Sequence, residues 1–333
     1  MVNRGNTMNG QGLAGPKAFA LVLAMAAPGV AWAQATTQAT TSAYDPPVGS
    51  RWIVETETRG EETRPDGSAT SLLRTRAELT IEAKTPDGFR MSWIQRGSTV
   101  EGTARSVPLR RAFATVPENV VVRASTDAAG KPLHIENLVE ARAAMRKAAD
   151  DLVAQFAERP AARALFDQLM AELTEVGPEN AAAVYVDALG LLAVAQNAAM
   201  KPGEFRWTTK AAQNPLGGDA LKSNERFERV AADGTAARAT FVSVTSIDPV
   251  AMDDFMQSFA RSLLAASGDS VTPERVDLLV KSMVFSFDKR AEFDVEDGMT
   301  RRVKETSTTV FRGMEQNVIQ TEMRTIAVTP APQ

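Results

Sequence analysis

From residue 48 to about 105 the chain alternates apolar or hydroxyl-bearing side chains with charged ones. Trp52, Val54, Thr56 and Thr58 are interleaved with Ile53, Glu55 and Glu57. Leu73, Thr75, Ala77, Leu79 and Ile81 alternate with Arg74, Arg76, Glu78, Thr80 and Glu82, and Phe89, Met91 and Trp93 with Arg90 and Ser92. A period of two sends successive side chains to opposite faces, so these segments predict antiparallel strands with one wet face. Pro65-Asp66-Gly67 and Pro86-Asp87-Gly88 are turn sequences, because Pro presets one φ and Gly permits a positive one. Neighbouring strands are therefore expected to form hairpins. The pattern weakens over 106–136, where 120–124 and 131–136 are candidate strands separated by Asp127-Ala128-Ala129-Gly130.

The period then changes. Leu138, Ala141, Met145, Ala148, Leu152 and Phe156 recur every three or four residues, which predicts a helix. Pro160 starts a second helix through Leu165, Leu169 and Leu173, and Gly177-Pro178 ends it. A third, over 179–200, is apolar on most sides and interrupted by Asp187. Its unbroken apolar runs fall well short of the roughly 20 residues a bilayer requires, so a buried core helix is expected.

Alternation returns at 205–209, 221–230 and 236–247, the last two joined by Ala232-Asp233-Gly234. Asp248-Pro249 and Thr272-Pro273-Glu274 each place a capping residue before a first-turn proline. The first opens a helix with Met252, Phe255, Met256, Phe259, Leu263 and Leu264; the second opens one with Val276, Leu279, Val280 and Met283. Three strands follow at 285–295, 299–311 and 316–328, with Asp297-Gly298 and Arg312-Gly313 as turns. In the hairpin around Asp297-Gly298, Glu292, Asp294 and Glu296 are expected to oppose Thr300, Arg302 and Lys304, charges that help to set register. Pro47-Val48-Gly49-Ser50-Arg51-Trp52 is echoed by Pro202-Gly203-Glu204-Phe205-Arg206-Trp207, each opening a strand set that leads into helices. A duplicated β-then-α unit and a chance likeness of Pro/Gly openings both account for it.

The expected fold class is α+β: a curved antiparallel sheet, as one sheet or two related strand sets, with a long helical insertion and covering helices. Residues 1–33 read as a signal peptide. Arg4 and Lys17 supply positive charge, 18–27 is a short apolar run, and Ala31-Trp32-Ala33 is a small-x-small cleavage site. After it come a tether (34–47), a first β-rich part (48–136), a helical insertion (137–200), a second β-rich part with two helices (201–329) and a tail (330–333). The expected location is the periplasm or the exterior. The chain has no cysteine, which excludes disulfides and lipid attachment at a leader's cleavage site.

Without the leader, 35 basic residues stand against 41 acidic ones, a net of −6 that gives no reason to expect nucleic-acid binding. The single histidine, His134, does not suffice for a zinc site of the usual four Cys/His ligands, and no Gly-x-Ser-x-Gly elbow accompanies it. Phosphate and dinucleotide loops are absent, and no metal or cofactor is expected. Asp150-Asp151 and Asp253-Asp254 read as solvated helix surface. Catalysis by carboxylates alone is the remaining enzymatic reading. The richest apolar set is Met252, Phe255, Met256, Phe259, Leu263, Leu279 and Met283. It reads either as helix-on-sheet core or as the lining of a cavity for an acyl chain, a use that suits adaptable Met.

The order of elements, together with the Phe293…Asp297-Gly298 hairpin, resembles the half-barrel carriers of the bacterial envelope, the lipoprotein-localisation factors and their relatives. The resemblance implies acyl-chain binding between a curved sheet and covering helices; the long insert at 137–200 departs from that plan. The expected function is a non-catalytic, exported envelope protein that does not span the membrane and binds a lipid, acyl chain or hydrophobic segment between sheet and helices. The alternative is an assembly protein docking on another envelope protein through its helical insertion or strand edges. An outer-membrane barrel conflicts with the helical share of the chain and the missing aromatic girdles.

Overall fold

The computed structural model of the protein describes residues 43–104, 107–153, 160–212, 220–230, 238–267, 271–313 and 316–332. The first strands are β1 (Arg51–Arg64), β2 (Gly67–Lys84) and β3 (Gly88–Gly102), followed by α1 (Val107–Thr115), β4 (Val121–Asp127) and β5 (Pro132–Ile135). Four helices come next: α2 (Leu138–Val153), α3 (Pro160–Thr174), α4 (Pro178–Tyr185) and α5 (Asp187–Ala193). The chain then forms β6 (Phe205–Ala212), β7 (Leu221–Arg229), β8 (Arg238–Ile247), α6 (Pro249–Ala266) and α7 (Pro273–Lys281). It closes with β9 (Val284–Glu296), β10 (Met299–Gly313) and β11 (Gln316–Pro330).

The two strand sets are one open antiparallel sheet of 11 strands, ordered β5-β4-β3-β2-β1-β11-β10-β9-β8-β7-β6. The first set steps outward from the middle to the β5 edge. The second enters at the opposite edge, β6, and steps back until β11 lies against β1, paired from Trp52↔Pro330 to Thr63↔Ile319. Helices α2 to α5 connect the two edges.

One face of the sheet is charged and wet. Glu57 lies 2.8 Å from Arg59 and 2.9 Å from Arg74, and Glu78 lies 2.9 Å from Arg96, all substantially exposed. Such pairs stabilise little and serve register and solubility. The other, inner face carries the core. Val54, Leu79, Ile81, Met91, Phe241, Phe293, Val303 and Ile326 pack there with Met145, Phe166, Leu189 and Leu192 of the connecting helices. A second, separate apolar cluster joins α6 and α7 to β7–β10.

Turn chemistry follows the residues. Asp297 and Gly298 have φ of 51° and 78°, the paired positive values a two-residue hairpin needs to match strand twist. The carboxylate of Asp248 accepts from the Ala251 N–H, and Thr272 Oγ1 accepts from the Arg275 N–H, so both expected caps form.

Several expectations are corrected. Residues 107–115 are a helix whose Val107, Leu109 and Ala112 are buried; with so short an amphipathic stretch, periodicity had little to act on. The single helix expected at 179–200 is two, α4 and α5. The backbone leaves the helix at Val186 (φ −136°, ψ 40°), and Asp187 starts the next helix while reaching Arg324 at 2.7 Å. Around the late turn, Asp294↔Arg302 and Glu292↔Lys304 pair as expected, but a bulge between Thr300 and Arg302 breaks the pattern. Glu296 instead pairs with Arg238 of β8 at 2.7 Å, and Thr300 turns inward to donate to the Leu192 carbonyl at 2.7 Å. Arg312-Gly313 is the end of β10. Tyr44, expected in the tether, is buried against Phe89 at 5.4 Å between ring centres. The leader, the tether up to residue 42, Phe156 and the Ala232-Asp233-Gly234 turn lie outside the described residues.

The sequence echo has a backbone counterpart. Gly49 (φ 84°) and Gly203 (φ 79°) each donate to the adjacent strand, to the carbonyls of Ile81 and Arg229, both at 2.8 Å. Ile81 and Arg229 answer by donating to Ser50 and Glu204, each at 3.0 Å. Each turn opens three strands followed by a helical segment. Trp52 stands three residues after its glycine and Trp207 four, so the period of two puts them on opposite faces: Trp52 packs inward and Trp207 is 65% exposed.

Phe293, 1% exposed on β9, sits where Phe241 and Val303 flank it on the neighbouring strands. Phe293→Ala is expected to lower stability by about 3–5 kcal/mol, read as a lower urea midpoint with an unchanged m-value.

Candidate functional site

All seven residues of the expected apolar set meet in the second cluster. Met256 and Met283 are buried, and Met252, Phe255, Phe259, Leu263 and Leu279 are partly buried against them. Helix α6 supplies a roof of rings: Phe255 lies 5.9 Å from Phe259, 5.8 Å from Phe285 of β9, and Phe259 lies 6.1 Å from Phe311 of β10. Leu221, Ile247, Phe285, Phe287 and Phe311 form the floor. Among the described residues, the partly buried members outnumber the fully buried ones here, whereas the first cluster is mostly buried. A shallow depression between α6 and α7, at Gln257, Arg261, Thr272, Pro273 and Asp277, is not lined by any of the seven.

A second feature separates the two clusters. One cross-strand row of the inner face reads Gly102, Ser71, Gly60, Glu322, Ser307, Lys289, Thr245, Glu225 and Thr208, from β3 to β6. No apolar side chain occurs in it. Beside it, Thr58, Arg324 and Glu305 stand across from one another on β1, β11 and β10. Helices contribute to this band from above: Arg110 of α1 donates to Ser71 Oγ at 2.8 Å, and Asp187 of α5 pairs with Arg324 at 2.7 Å. Lys289 meets Glu305 at 2.7 Å, and Lys210 meets Glu225 at 2.9 Å.

Burial, the largest influence, raises the Glu322 carboxyl above its ordinary 4.5; Arg324 pulls it back, Glu305 adds to the rise, and Arg110 and Lys289 act with Arg324. Burial likewise lowers the Arg110 guanidinium against the pull of Glu322 and Glu62. For Arg324, burial is outweighed by Asp187, Glu305 and Glu322 together, so its guanidinium is raised.

None of these charges is among the expected site residues. Their signal is parity. Lys289 shares its strand face with Phe287 and Ala291, Glu305 with Val303, and Glu322 and Arg324 with Ile326 and Val328. A charge at an inward position stands out once the register is known.

His134 lies exposed on β5, where Ser125 Oγ approaches its Nδ1 at 2.7 Å. Among the described residues no carboxylate hydrogen-bonds this imidazole, so the pair lacks the third group that orients a catalytic base. Likewise among the described residues, no helix is long and apolar enough to cross a membrane.

No protein-family model matches the chain, and no curated protein does. Among solved structures, the fold is similar over 86% of this chain to one described as lipid–protein interactions in lipovitellin, with a TM-score of 0.43 and 8% identity. The chain spans 26% of that protein's length. DynF from the dynemicin biosynthesis pathway of Micromonospora chersina is similar over 91% of this chain and 94% of its own, with a TM-score of 0.20 and 6% identity. The transport unit of the autotransporter AIDA-I from Escherichia coli is similar over 85% and 90%, with a TM-score of 0.24 and 8% identity.

A carboxyl whose folded pKa lies above its unfolded one favours folding at low pH, a contribution lost as pH rises from the ordinary value through the folded one. Glu322→Gln is therefore expected to raise the urea midpoint relative to wild type at about pH 8 and to change it little at about pH 4. Equal shifts at both pH values would contradict the assignment.

Proposed function

We propose that the protein is an exported, non-catalytic envelope protein that holds an apolar ligand, a lipid acyl chain or a hydrophobic segment, between the inner sheet face and helices α6 and α7. The observation that carries this reading is the second cluster. Its Phe255, Phe259, Phe287 and Phe311 remain only partly buried although they face one another across helix and sheet. A cluster that served packing alone gains by closing, because each partly exposed ring forgoes part of its transfer free energy. Met252, Met256 and Met283 supply side chains that reshape around a chain of variable contour. The leader read from the sequence supplies the compartment.

The test is native mass spectrometry of protein purified from its host, followed by denaturing extraction. A stoichiometric acyl species is expected, and Phe259→Asp, which puts a charge among the rings, is expected to release it while leaving the first cluster folded. A bare wild-type mass, together with no saturable uptake of a fluorescent fatty acid, would sink the reading.

One observation favours the alternative of docking on a partner protein. At the β6 edge, Phe205 and Trp207 are 50% and 65% exposed, and Val244 two strands in is 42% exposed. Unpaired backbone on an edge strand beside exposed rings is the arrangement used in strand addition. Trp207→Ser, with lipid content unchanged and pull-down of an envelope partner lost, is the outcome that reading predicts.

A further inference from the structure

Resting on the acyl-ligand reading above, we propose that the gap over Gly60 between Arg110 and Glu322 receives the zwitterionic headgroup, phosphate plus ammonium, of an amphiphile whose chains lie under α6 and α7.

Lys289, Arg324 and Lys210 each have a carboxylate partner within 2.7–2.9 Å. Arg110 and Glu322 do not. They carry opposite charge, stand near each other through the row Ser71–Gly60–Glu322, and influence each other electrostatically, yet no direct ion pair joins them among the described residues. Arg110 is held by its bond to Ser71, and its Nε is buried without a hydrogen-bond partner. The Glu322 carboxyl makes no hydrogen bond among the described residues.

Between Ser71 and Glu322 in the row stands Gly60, which has no side chain of its own, so that Ser71 Oγ alone reaches over it. A Cβ there would come within 2.8 Å of Ser71 Oγ. Arg110, Gly60 and Glu322 are all half-buried, which leaves the gap reachable from solvent.

Ligand chemistry follows from leaving neither group unpaired. A purely anionic headgroup would satisfy Arg110 and press against Glu322 and Glu62. A purely cationic one would do the reverse against Arg110 and Arg324. A phosphate offers Arg110 two oxygens spaced to match the planar guanidinium fork, and an adjacent ammonium gives Glu322 a donor. The distance also fits. Phe311 lies four residues along β10 from Ser307, the neighbour of Glu322, or about 13 Å at the strand rise, a span comparable to a headgroup plus glycerol.

The test incubates the full-length protein with vesicles of phosphatidylethanolamine, of phosphatidylglycerol or containing diacylglycerol, then quantifies lipid on the re-isolated protein. Phosphatidylethanolamine is expected to exceed the other two by about tenfold, the ratio one lost charged contact produces. Arg110→Gln and Glu322→Gln should each abolish that preference, Glu322→Gln moving it toward phosphatidylglycerol. Gly60→Ala, whose Cβ narrows the gap and displaces Ser71 Oγ, the acceptor of Arg110, without removing either charge, should do the same if the charge variants fail to fold. Equal retention of all three lipids by wild type overturns the headgroup site and leaves the acyl reading standing; retention of none overturns both. Saturable binding of free phosphoethanolamine without vesicles would overturn the lipid assignment in favour of a soluble zwitterion.

Discussion

The pairing of β1 with β11 is the constraint from which the architecture follows. It joins the first and last described strands along nearly their whole length and turns two meanders into one sheet. Once the ends of the chain meet in the middle, the outermost strands β5 and β6 must be connected across the sheet. Helices α2 to α5 lie along that connection and cover the inner face. Contacts of such sequence separation are closed late and at entropic cost, so local hairpins are expected to precede this seam in folding.

The seam also positions the polar row. Gly60 of β1 and Glu322 of β11 face each other only because the register runs Trp52↔Pro330; a slip of one residue would turn Glu322 outward and bring Met323 in. Charged groups on the inner face are costly unless paired, which is why Lys289, Arg324 and Asp187 are tied to partners from other elements. The result is an inner face of three zones: a closed apolar core under α2–α5, a polar band, and a looser apolar cluster under α6 and α7. That sequence of zones is amphiphilic in the direction of the strands.

Much of the fold was legible from residues alone where one rule dominates. Alternation located the long strands, Asp297-Gly298 specified its turn, and Asp248-Pro249 and Thr272-Pro273 marked helix starts that the caps bear out. The seven apolar residues of 252–283 come together because helical spacing puts them on one side. Short or conflicted segments were less legible. Nine residues of α1 carry too few turns for periodicity, and the break at Val186 stands beside an ion pair of Asp187 with Arg324, a residue far along the chain. The bulge at Thr300 accompanies a hydrogen bond to the Leu192 carbonyl, a partner that no local pattern reveals.

By itself, then, the sequence determined the identity of most elements, the alternation of wet and dry faces along the first three strands, and the lack of thiol chemistry, because these depend on local sterics and on residue types. Tertiary structure alone decided that the strand sets form one sheet, which inward charges find partners, and that Glu322 and the Ser71 that holds Arg110 flank Gly60. Those outcomes depend on register between strands more than 250 residues apart. Register is a property of the assembled sheet, where a shift of one residue exchanges every side chain between water and core.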